Sequence, residues 1–387
     1  RSARAVTRLS WTTAGESHGP ALVGVLEGLP SGLELSLERI DGELARRQAG
    51  YGRGGRMRIE HDRVKVLGGW RAGRTIGAPL ALELENRDAT IERLPVPDSP
   101  RPGHADLAGC QKHLAPDPRA VLERASARET AMRVALGAAA RQVLEHFGVE
   151  LFAYVVELGG VAAAADAFDS AGEQRSSLRQ ASQFCGLDPR VEDAWVKRVD
   201  EAKALGDTLG GVFELRVLGL PPGLGGYARP GERLTARLAG ALLSIPAMKG
   251  LEFGLGFEAA RRLGSEVHDA IVPAAPQDRW GRFARATNRS GGLEGGMTTG
   301  EPLVVRVAMK PISTLRRGMP TVAFTTGEPV ESTWQRSDVT SVPAASVVGE
   351  AVVALELCSV FLEQFGGDSL AALERAFAAY VAHLRSL

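Results

Sequence analysis

Two histidines stand in turn-forming surroundings, His18 in AGESHG (Ala14 to Gly19) and His104 in RPGHAD (Arg101 to Asp106). A histidine titrates near neutrality and can hand a proton to a leaving group or a cofactor. Either one alone could equally be a hydrogen-bonded structural residue. A third stretch, ARRQAGYGRGGRMRIE (Ala45 to Glu60), sets five arginines among four glycines. Arg53 and Arg56 sit three apart in a glycine-rich turn, with Arg46 and Arg47 at the end of the preceding helix, and planar guanidinium groups bind a carboxylate or phosphate through paired hydrogen bonds. A solvated charged face is the competing reading. Lys310-Pro311-Ile312-Ser313-Thr314 follows the glycine-rich run Gly291 to Gly300. A cation and two hydroxyls at a strand exit can hold phosphate, and Arg124-Ala125-Ser126 offers another basic and hydroxyl contact. Together these residues describe an enzyme with two anionic ligands and histidine acid chemistry, and leave the reaction open.

Two motif matches fail on context. Gly50 to Gly55 fits the dinucleotide pattern GxGxxG, but a helix precedes it and a strand-like segment follows, the reverse of what brings a helix N-terminus to a pyrophosphate. Gly15-Glu16-Ser17-His18-Gly19 fits the GxSxG of serine hydrolases, yet it lies near the start and leads into the strand-like ALVGVLEG instead of a helix. A hydrolase with Ser17 as nucleophile is the alternative function.

The elements that must position these residues mix helix and strand. Ser36 is placed to cap a helix with Leu37, Ile40 and Leu44 on one face, ending near Gly50. Alternation marks strands at Val64–Val66 and Leu80–Leu84. A proline-free, alanine-rich run predicts one helix from Arg119 to Phe147, stopped by Gly148, and a strand over Glu150–Leu158. Further helices are expected near Glu192–Leu205, Glu232–Ser244, Ala344–Phe365 and Ser369–Leu384, with strands at Val212–Leu218 and Leu303–Met309. Leu94–Asp106, rich in proline, is a loop.

The 387 residues are 44% hydrophobic and carry 46 basic and 46 acidic side chains, which argues against nucleic acid or an anionic membrane as partner. Cys110, Cys185 and Cys358 are too far apart for a metal pair or a disulfide framework, so no metal and a cytoplasmic home are expected. The apolar VVGEAVVALELCSVFL carries Glu350 and Glu356 and reads as a buried helix rather than a membrane span.

Taken in order, TAGESHG, RRQAGYGRGGRM, RPGHAD, ERASARETA, GDTLGG, GLPPGLG, TNRSGGLEGGMTTG, MKPIST and QRSDVTSVPAA resemble the chorismate synthase family over nearly the whole chain. The resemblance implies 1,4-anti elimination of phosphate from 5-enolpyruvylshikimate 3-phosphate to give chorismate, in aromatic amino acid biosynthesis. It implies reduced FMN (FMNH2) without net redox change and leaves open whether NADPH serves as reductant. The implied fold is α+β, one domain over residues 1–387 built as a four-layer β-α-α-β sandwich with two pseudo-related halves, assembled as a homotetramer.

Carried over by position, His18 resembles the group that protonates the departing phosphate, and His104 the one beside the flavin. Ser17 and Asp338 resemble a pair assisting proton removal. Arg47, Arg53 and Arg56 correspond to substrate-binding arginines. The flavin residues implied are Arg124, Ala125, Ser126, Ala247, Gly295, Lys310, Pro311, Ile312, Ser313, Thr314 and Arg336. The chain departs from the family pattern at Pro246, Leu255 and Thr299.

Overall fold

The computed structural model describes residues 9–54, 61–115, 117–332 and 338–387. The first strands, β1 (Ser10–Ala14) and β2 (Ala21–Glu27), form an antiparallel hairpin with Trp11 opposite Leu26 and Ala14 opposite Val23. Helix α1 (Leu37–Gln48) follows, its N-terminus capped by Ser36, whose hydroxyl accepts from the Arg39 amide. Strands β3 (Lys65–Gly68) and β4 (Leu80–Glu85) complete a four-stranded antiparallel sheet in the order β1-β2-β4-β3. Leu22, Leu26, Leu80, Leu82 and Leu84 alternate onto one buried face, as a half-covered sheet requires.

After α2 (Asp106–His113), the expected single helix from Arg119 to Phe147 is instead two, α3 (Arg119–Ala125) and α4 (Thr130–His146), joined by a tight turn over Ala127–Glu129. The break is at Ser126, whose backbone is extended and whose hydroxyl accepts from the Arg128 amide. Serine competes for backbone donors in this way, a local choice that alanine-rich neighbours do not reveal.

The second sheet runs β8-β9-β7-β5-β6, built from β5 (Glu150–Leu158), β6 (Val161–Ala162), β7 (Gly211–Leu218), β8 (Met248–Phe253) and β9 (Leu303–Met309), all neighbours antiparallel. Helices α5 (Glu192–Ala204), α6 (Leu234–Leu243), α7 (Val342–Phe365) and α8 (Leu370–Ser386) fall within two residues of the sequence expectations at each end. Helix α7 is long and apolar enough to cross a membrane by length and composition, and it is buried almost throughout.

Helix α4 packs on β2 and β4, α7 packs on β5 and β7, and the two helices pack on each other. Two glycines permit these approaches. A Cβ on Gly24 in β2 would lie 2.6 Å from the Met132 side chain of α4, and one on Gly137 of α4 would lie 2.5 Å from the Ala351 Cβ of α7. The side chains between the sheets form one continuous cluster, including Leu22, Leu82, Leu136, Val353, Phe213 and Val305. At such close packing, loop ends set by both sheets are held rigidly enough to share one site.

Candidate active site

A cavity of about 880 Å³ opens where seven connections meet: the β1–β2 turn, the end of α1, the Pro-rich loop, the α3–α4 break, the α6–β8 connection, the exit of β9 and the start of α7. Its wall includes Ser17, His18, Arg47, Arg53, His104 and Asp338, and also Ala125, Ser126, Ala247, Lys310, Ile312, Ser313 and Thr314. Other predicted residues stand elsewhere. Arg124 turns from the cavity to donate to the carbonyls of Gly15 and Thr13. Pro311 lies in the β9 exit without lining the cavity, and Gly295 sits in a separate tight hairpin. Arg56 and Arg336 fall outside the described residues.

The β1–β2 turn is pinned from several sides. Gly15 has φ +106°, and a Cβ there would lie 2.3 Å from the Ala21 carbonyl oxygen, so only glycine fits. Asn86 Nδ2 donates to the carbonyls of Glu16 and Gly19, and Asn86 Oδ1 accepts from Arg128 Nε, whose guanidinium also pairs with buried Asp62 at 2.7 Å. Ser17 accepts from the Ser126 hydroxyl at 3.1 Å. His18 Nδ1 lies 2.9 Å from Glu123 Oε2, its own amide donates to the same carboxylate at 2.8 Å, and Asp88 stands 3.9 Å from Nε2. The serine thus sits in a hairpin turn rather than a strand-to-helix elbow, and the hydrolase alternative finds no support.

His104 is arranged similarly. Its Nδ1 contacts Asp106, which also accepts from Arg101 Nε at 2.8 Å, while Arg101 Nη1 donates to Thr314 Oγ1 at 3.1 Å. Burial alone would raise the Asp106 carboxyl, but the hydrogen bonds from His104 and Arg101 outweigh it and hold the group well below the usual carboxylate range. One chain of contacts therefore links the Pro-rich loop to the β9 exit.

Arg47, in the last turn of α1, is buried and donates through Nη2 to the Ala127 carbonyl at 2.7 Å and through Nε to Thr130 Oγ1 at 3.1 Å. The broken helix supplies that carbonyl. Burial, with Arg53 and Arg128 adding to it against Asp62 and Asp338, pushes Arg47 down to about 9. Its Nη1 is buried without a hydrogen-bond partner among the described residues. A donor left this way inside a cavity wall suits an anionic oxygen. Arg53 pairs with Asp338 at 2.6 Å and donates to Ser341 Oγ at 3.0 Å, while the Gly54 amide donates to the other carboxylate oxygen at 2.6 Å.

The opposite wall is also cationic. Lys310 donates through Nζ to the Gly103 carbonyl at 2.6 Å and through its amide to the Ala247 carbonyl at 3.0 Å. Burial and nearby Lys249 lower its pKa. Ala247 adopts φ +72°, a left-handed conformation that costs a residue bearing a Cβ on the order of 1 kcal/mol and is characteristic of ligand sites. Pro246 lines the cavity, whereas Leu255 and Thr299 do not, so two of the three departures lie off its wall.

Sequence reasoning missed the groups behind the reactive ones: Glu123, Arg119, Asp88, Asp106, Arg101, Asn86 and Ser341. Only RPGHAD carried a readable signal, an arginine and an aspartate flanking a histidine.

The chorismate synthase family model matches residues 9–362. The chain is 51% identical to the chorismate synthase of Trichlorobacter lovleyi, over 97% of this chain and the whole of that protein. It is 49% identical to that of Geobacillus thermodenitrificans over 94% of this chain and 96% of the other. A crystal structure of chorismate synthase superposes with a TM-score of 0.81 at 39% identity, covering 98% of this chain and 99% of that one. With the motifs, the full-length identity and the shared backbone in agreement, the chain belongs to the chorismate synthase family of lyases.

Proposed function

We propose that this cavity converts 5-enolpyruvylshikimate 3-phosphate to chorismate by 1,4-anti elimination of phosphate. The observation that carries the reading is the convergence of His18 and His104, each backed by a carboxylate, with Arg47, Arg53 and the Lys310–Thr314 exit on one cavity. The substrate has two carboxylates and a phosphate. Arg47 Nη1 and the Arg53 guanidinium are set to hold these anions and to replace their water. His18 Nε2, the nitrogen not turned to Glu123, gives a proton to the departing phosphate. Asp338, steadied by Arg53, Ser341 and the Gly54 amide, and Ser17, bonded to Ser126, assist removal of the ring proton.

The residues present fit a reduced flavin. Lys310, Ser313, Thr314 and Ser126 offer a cation and hydroxyls to a phosphate tail, Leu122, Ile245, Met309 and Val348 offer apolar wall, and His104 stands beside them. Arg124, Gly295, Pro311, Arg56 and Arg336 belong to the same proposed set on family resemblance. Bound there, FMN in its reduced form would supply electron density at the ring without being consumed. A volume near 880 Å³ is at the upper end of ligand pockets, about 300–1,000 Å³, and suits two adjacent small molecules.

The sheet and helix contacts support a single four-layer β-α-α-β sandwich, and the relation between its two halves belongs to the same proposal on family resemblance. Phe257, Leu263, Ile271 and Phe283 are exposed apolar side chains of one segment that suit contact between copies of the chain; the homotetramer implied by family resemblance is tested by light scattering at four times the 41.0 kDa chain mass. Three unpaired cysteines suit the cytoplasm, and NADPH as reductant is tested by activity with FMN and NADPH alone.

His18→Ala and His104→Ala should each lower turnover by about a hundredfold or more, the range for a lost proton-transfer group. Phosphate release from the substrate under anaerobic conditions with reduced FMN is the readout. Unchanged rates in both variants would overturn the assignment.

A further inference from the structure

Behind His18, on the side away from the cavity, stands a group that the elimination does not itself require. Glu123 is in the last turn before the helix break, and its carboxylate is fully out of solvent. It makes three distinct contacts with the β1–β2 turn. Its oxygens lie 2.9 and 3.0 Å from His18 Nδ1, one of them accepts the His18 amide at 2.8 Å, and the Glu123 backbone carbonyl accepts the Ser17 amide at 3.2 Å. Arg119, one helical turn earlier, donates to Glu123 Oε1 at 3.2 Å and also reaches the Pro95 carbonyl of the Pro-rich loop.

We propose that Glu123 is the positioning residue of the phosphate-leaving step: it retains the proton on His18 Nδ1 and thereby leaves Nε2 as the nitrogen that exchanges a proton inside the cavity. The argument is one of donor and acceptor count. An ionised carboxylate only accepts, so an imidazole nitrogen held against it carries hydrogen whether the ring is neutral or charged. The neutral ring is then confined to the Nδ1–H tautomer, and proton gain and loss is confined to Nε2. Burial would raise the Glu123 carboxyl, yet the bonds from His18 and Arg119 lower it, so the acceptor stays ionised. The amide contact from the same residue fixes the ring's origin as well as its rotation. Arg119 offsets the cost of keeping a carboxylate away from water.

This inference rests on the reading of His18 as the proton donor, and the test separates the two. Glu123→Gln, His18→Asn and the double variant are compared with wild type under anaerobic conditions with reduced FMN. Glu123→Gln should lower kcat about tenfold or more while changing the substrate KM less than about twofold, because the arginines that bind substrate are untouched. In the His18→Asn background the same change should cost nothing further. A full additional loss in that background, or an unchanged kcat beside a slow His18→Asn, would overturn the positioning role and leave the donor assignment standing. An unaffected His18→Asn would instead remove the donor assignment. Should Glu123→Gln fold poorly, imidazole ¹⁵N spectra of the wild-type protein decide: the neutral His18 ring must be the Nδ1–H tautomer, and an Nε2–H ring contradicts the proposal.

Discussion

At the scale of single residues, the site is made of charged groups that hold one another in place before any ligand arrives. Arg47 is the exception that shows direction, since two of its donors are committed to Ala127 and Thr130 while Nη1 is not. Truncating it removes a cation from a buried, cation-rich wall, so the cost should fall on substrate binding. Arg47→Ala is expected to raise the substrate KM by at least about tenfold, the value of a charge-assisted hydrogen bond of roughly 1.5–3 kcal/mol. Steady-state kinetics check this, and a normal KM with a lowered melting temperature would assign Arg47 to stability alone. That His18, His104, Arg47 and Arg53, which meet on one cavity, are presented from loops and a helix end could be anticipated in the sequence because turn-forming neighbours advertise residues presented on loops. Glu123 could not be, because within an apparently continuous helix it looks like any solvated glutamate, and its partner is 105 positions away.

At the scale of elements, what matters is where helices stop. Ser126 ends α3, frees the Ala127 carbonyl for Arg47, and points its hydroxyl at Ser17. Strands such as Glu150–Leu158 and Leu303–Met309 were readable from alternation, whereas the break at Ser126 was hidden because every residue around it favours helix. The α4–α7 crossing fixes the distance between the two sheets that supply the cavity walls. It depends on Gly137, whose missing side chain admits Ala351. Gly137→Val should destabilise the fold by about 1–3 kcal/mol or more through overpacking. A denaturant midpoint unchanged from wild type would contradict this account of the crossing.

At the scale of the molecule, the active cavity is a product of topology rather than of any motif. Residues from position 17 to position 348 meet on it. No local pattern could have shown that the β1–β2 turn faces the β9 exit, since their pairing follows from two sheets closing over shared helices. With the overall charge balanced, attraction of a small polyanion to the cavity falls to the local excess of arginine and lysine on its wall. The central claim is that one cavity holds substrate and reduced flavin together and eliminates phosphate without net oxidation. The most direct measurement is an anaerobic, multiple-turnover reaction with reduced FMN well below substrate, following phosphate, chorismate and flavin absorbance in the same sample. Phosphate and chorismate should appear in equal amounts over many turnovers, with the flavin still reduced at the end. Phosphate without chorismate, or flavin oxidised in step with product, would contradict the account.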